Sequence, residues 1–140
     1  MKLEAAQTIL TAALAHGRKS GMKPLTVIIL DARGVLKAAA CEDGSSLARP
    51  DIARGKAYGA LSLGMGSRAI HARAEQQPYF VAAATHAAGG ALIPVPGGVL
   101  IRDGAGALLG AIGISGDTSD NDEAAAVAGI KAAGLTAETG

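Results

Sequence analysis

The sequence has no tryptophan, one phenylalanine and two tyrosines among its 140 residues. With aromatics at 2% and a formal net charge of +1, it offers neither stacking platforms for bases nor an electrostatic stripe for phosphates. No nucleic acid partner is expected. The single cysteine, Cys41, cannot form an internal disulfide, and no second thiol or His-x-x-x-His spacing completes a zinc site. Long apolar runs are missing too: Leu25–Leu30 and Val81–Ala84 fall well short of the ~20 residues that span a bilayer. No membrane partner is expected. Met1–Leu10 carries Lys2 and then Glu4 and Gln7, so a positive head followed by an unbroken apolar segment, as in a secretory signal, is absent, and the sequence predicts a cytoplasmic protein.

What is abundant is small. The chain carries 32 alanines and 20 glycines, and its 49% apolar against 18% charged composition is that of a folding chain. Length alone predicts one domain over residues 1–140. Small side chains each bury little area, at about 25 cal/mol per Å², so the sequence predicts that self-association into a dimer or larger homo-oligomer supplements a modest core.

Periodicity supplies the elements. Leu3, Ala6, Leu10, Ala13, Leu14 and Gly17 step by three and four, predicting a first helix over Leu3–Ser20 stopped by Gly21. Leu25–Leu30 and Val35–Ala40 flank the turn residues Asp31–Gly34 and predict a hairpin. Pro50 opens a second helix that runs to Gly64; shorter helices are expected around Ser67–Ala74 and Pro78–Ala88. Three apolar runs, Ala91–Val95, Val99–Arg102 and Ala107–Ser115, predict a meander. Ser119 then caps a final helix that closes the chain before Gly134. Strands in hairpin groups between helices indicate an α+β fold with a five-stranded antiparallel sheet.

Several residues invite chemistry. Gly104-x-Gly106-x-x-x-Gly110 lies between two strands, so it reads as a turn and not as a phosphate loop. Ser115–Asp122 joins a strand to a helix with small oxygen-bearing side chains, suited to capping or to holding a small ligand. His16 and His86 fall in last helical turns, where the helix dipole favours imidazolium. A single imidazole can also hold haem iron, and His16 has Arg18 and Lys19 beside it. Lys56, among Ala53, Ala57 and Ala60, is either a snorkelling surface lysine or an ammonium facing a ligand.

Taken together, Val27–Gly34, Asp43-Gly44-Ser45, Ile52–Ala57, Gly97–Ile101 and Gly110–Gly116 followed by Asp122 resemble the GlcG-type haem-binding proteins, also called the haem-degrading domain family. The resemblance implies a profilin-like sandwich, assembly into symmetric oligomers, and binding of haem or a corrinoid with an axial histidine on the first helix. Two readings result. In the first, the protein is an accessory module that binds haem or a related tetrapyrrole through His16, with Arg18 or Lys19 facing propionates. In the second, it is a small catabolic enzyme or accessory protein. A pocket of Asp43, Lys56, Gly97, Gly98, Ser115, Gly116 and Asp122 near a subunit interface would bind a small organic acid, with Lys56 on its carboxylate and Asp43 or Asp122 as general base.

Overall fold

Apolar residues on alternate strand positions decide the architecture, because successive side chains in a strand point to opposite faces. The computed structural model describes residues 1–140. It runs α1 (Leu3–Lys19), β1 (Thr26–Asp31), β2 (Leu36–Cys41), α2 (Arg49–Leu63), α3 (Ser67–Gln76), α4 (Pro78–Ala87), β3 (Gly98–Arg102), β4 (Leu108–Ser115), α5 (Ser119–Ala132) and β5 (Thr136–Glu138). The strands form one antiparallel sheet in the order β2-β1-β4-β3-β5, an α+β arrangement.

One face of the sheet, with Val27, Ile29, Val99, Ile101, Ile112 and Ile114, packs on α1 and α5 through Ile9, Ala13, Ala126 and Ile130. The other, with Ile28, Leu30, Leu100 and Ala111, packs on α2 through Ala53, Ala57 and Ala60. This second contact is backbone on backbone. A Cβ on Gly113 of β4 would lie 1.8 Å from the Ala53 carbonyl oxygen, and one on Gly98 of β3 would lie 2.3 Å from that of Lys56. Both lie inside any real contact, so glycine there is a condition of the fold. A smaller cluster of Ile70, Val81 and Leu92 holds α3 and α4 together at the periphery, where α4 packs chiefly on α3.

The fifth strand is not the expected Ala91–Val95. That segment carries Pro94, and Pro96 follows it; neither has an N–H to give to a ladder, and the Ile93 amide donates instead to the Gly55 carbonyl on α2 at 3.1 Å. Its place is taken by β5, beyond the last helix, which pairs Leu100 with Glu138 and Arg102 with Thr136. The final helix therefore does not close the chain. Its cap is also one residue earlier than expected, since the Thr118 side chain accepts from the Asn121 amide while Ser119 is already helical. No helix is long and apolar enough to cross a membrane.

Candidate functional site

Where α2, β4 and the start of α5 converge, the sequence places a lysine among alanines and an aspartate in a first helical turn. The result is a buried ion pair. Lys56 Nζ lies 2.9 Å from Asp122 Oδ2, with the two side chains 2% and 1% exposed. The ammonium also donates to the Ile114 carbonyl at 2.9 Å, and Asp122 Oδ1 accepts from the Asp117 amide at 2.9 Å. Burial pushes the Asp122 carboxyl up and the Lys56 ammonium down from their ordinary values, while their mutual attraction opposes both shifts.

Most of the residues expected to form an acid pocket do meet here. Gly97, at φ +117°, passes so close that a Cβ would sit 2.9 Å from Lys56 Nζ. The Gly98 amide donates to Ser67 Oγ at 2.7 Å, and the buried Ser115 hydroxyl accepts from Arg49 Nη1 at 3.0 Å. Gly116 belongs to the next corner, where a Cβ would strike the Pro24 carbonyl at 2.2 Å. Asp43 sits elsewhere, in a groove of about 430 Å³ lined also by Arg18, Pro24, Cys41 and Glu42. Lys56 is thus neither a surface lysine nor an open ammonium: an acid could reach it only by displacing Asp122. The cluster ties three elements together. Arg49 and Ser67, which complete it, carry no sequence signal beyond their types, because their partners lie 66 and 31 residues away.

The residues expected to hold haem distribute differently. On a helix, residues two apart do not share a face, so His16 and Arg18 diverge, whereas Lys19 lies three residues on and faces the same way as His16. Arg18 is committed to the adjoining turn, with Nε 2.7 Å from Glu42 Oε2 and Nη2 donating to the Lys23 carbonyl at 3.0 Å. His16 is half-buried, and earlier on the outer face of α1 a shallow depression of about 450 Å³ is lined by Glu4, Gln7, Thr8, Thr11, Ala12 and Ala15, of which Ala12 lies one turn before His16. His71 has both ring nitrogens engaged, by the Pro94 carbonyl at 3.2 Å and Glu75 at 3.3 Å, while the His16 ring has no such partner. His86 stands exposed on α4.

An imidazole and an ammonium three residues apart, with short alanine and threonine side chains nearby, are a donor set that suits a haem, whereas Glu4 in the same depression suits no propionate.

A family model described as haem-degrading protein HbpS-like matches residues 1–131. Among solved structures, a PduOC complex with haem superposes with a TM-score of 0.86 at 21% identity, covering 97% of this chain and 96% of the other. The ORFY protein of Klebsiella pneumoniae gives 0.84 at 22% identity over 96% and 90%. A double mutant of HbpS from Streptomyces reticuli gives 0.80 at 27% identity over 94% and 85%. No curated protein matches the chain.

Proposed function

Because the chain belongs to the HbpS-like haem-degrading family, we propose that it is an accessory protein that binds haem or a related tetrapyrrole on the outer face of α1. His16 is the axial ligand and Lys19 the cation for a propionate. The observation that carries this reading is the His16 imidazole, half-buried on α1 one turn beyond Ala12 of the depression and without a hydrogen-bond partner for its ring. Bound there, the macrocycle would supply a redox-active iron. The chain's own part would be to present one imidazole nitrogen, neutralise a propionate, and give the ring the short side chains of Thr8, Thr11, Ala12 and Ala15.

One face of α1 is half of a pocket. A second copy of the chain is proposed to supply the other half, which accords with the small-residue core and with a surface that exposes Leu36, Leu47 and Tyr79. Titration with haemin, followed by absorption, tests the assignment. A saturable Soret band is expected from the unmutated protein, shifted or lost in His16→Ala and unchanged in His71→Ala. A band that His16→Ala leaves as it was removes His16 from the account.

A further inference from the structure

The chain has three aromatic residues, and two of them, Tyr58 of α2 and Phe80 of α4, line the same groove. The groove measures about 580 Å³ and has Leu63, Ala83, Ala84, Ala87 and Ala88 along its sides. It exists because α4 packs on α3 and stands off from α2, and because the wall it presents is alanine. Longer side chains at those positions would fill the space.

Two guanidiniums stack on the groove's aromatic rings, although neither arginine lines the groove itself. The guanidinium of Arg54 lies 4.9 Å from the centroid of the Tyr58 ring, and that of Arg73 lies 4.0 Å from the centroid of the Phe80 ring. Neither is in an ion pair. Arg73 donates only through Nε, to Gln77. No charged residue of either sign lines the groove, and Ser62 is its one polar residue. A guanidinium stacked on a ring keeps its edge donors free, and two parallel N–H groups match a carboxylate. An apolar floor with aromatic walls and unpaired guanidinium edges is complementary to a flat apolar body that carries one acid group.

We propose that the groove between α2 and α4 binds a small aryl carboxylate, its ring against Tyr58 and Phe80 and its acid on Arg73 or Arg54. This site is separate from the α1 face and does not depend on haem binding. An occupant would also bridge two helices that now scarcely touch, so binding is expected to tie α4 to α2.

The probe is 2-naphthoate, with 2-naphthalenemethanol as its neutral counterpart, measured by equilibrium dialysis against the full chain. Saturable naphthoate binding is expected, weakened at least tenfold in an Arg54→Gln, Arg73→Gln double variant that leaves binding of the alcohol unchanged. Ala83→Phe, at an exposed position on the groove wall, is expected to abolish both. Naphthoate is also expected to slow amide exchange in α4, while His16→Ala leaves its affinity as it was. The proposal is overturned by an absence of saturable binding, by binding indifferent to Ala83→Phe, or by a dimer whose interface covers the groove. Haemin that displaces naphthoate from the His16→Ala protein overturns it as well, since the groove then belongs to the macrocycle.

Discussion

Lys56 and Asp122, 66 residues apart in sequence, meet as a 2.9 Å ion pair from which water is excluded. Removing one member of such a pair leaves the other charged and buried, which costs about 3–5 kcal/mol, far more than an exposed pair is worth. Lys56→Met is therefore expected to lower the free energy of unfolding by about that amount. Combining it with Asp122→Asn, which still accepts from the Asp117 amide, is expected to recover part of the loss. Urea denaturation of the four proteins of the cycle measures the coupling; strictly additive effects would show that the two groups act independently.

Gly113 admits no side chain beneath α2. Since the neighbour of an added methyl is the Ala53 main chain and not a movable side chain, Gly113→Ala is expected to cost about 3 kcal/mol or more, at or above the usual range for overpacking. Gly104, in the open turn between β3 and β4, has nothing within 4 Å and no positive φ. Gly104→Ala is expected to leave the melting temperature nearly unchanged, and equal effects at both sites would contradict the close helix-sheet contact.

Two carboxylates held below their ordinary range contribute to the acid dependence of stability. The Arg33 side chain, together with the amides of Arg33 and Val35, holds Asp31 at about 2 against an ordinary 3.8. The amide of Lys23, the Asn121 side chain and the Thr118 amide do the same for Asp117. A carboxyl whose folded value is depressed stabilises the fold above its unfolded value, and that contribution is lost as pH falls from 3.8 through 2. Burial raises Asp122, so its contribution runs in the opposite direction. Unfolding midpoints are expected to drop between pH 4 and pH 2, and Asp117→Asn is expected to flatten that slope.

Self-association is testable without any ligand. Sedimentation at micromolar concentration is expected to show a dimer or larger species, with a melting temperature that rises with protein concentration. A species of 13.7 kDa with concentration-independent unfolding would contradict it.

The strand pairs and helices that carry periodic apolar residues were legible in the sequence, because alternation and three-four spacing are local properties. What failed was non-local or too short. Three residues, Thr136–Glu138, make no pattern after a helix stop, and their role as a strand depends on the open edge of β3. Ala91–Val95 has strand composition, yet its proline and the one that follows it turn the backbone toward α2. Lys56 shows the same division. Ala53, Ala57 and Ala60 mark the buried face on which it lies, so its burial was within reach of the pattern, whereas its partner was not. The separation of Arg18 from His16 follows from helix geometry alone, and the residues beside a histidine in sequence are not those beside it on the helix surface.

Where Gly98 of β3 and Gly113 of β4 face α2, main chain rests on main chain, and the side chains of Ile28, Leu30 and Leu100 fill the interface around that contact. The spacing between these layers is then set by the radii of main-chain atoms, and exchanging one apolar residue for another cannot tune it. A change of ligand preference that keeps this contact is therefore expected at the margins of the sandwich, such as the outer face of α1, the stand-off helix α4 and the connecting turns. The contact beneath α2 holds to glycine at positions 98 and 113 however the margins change.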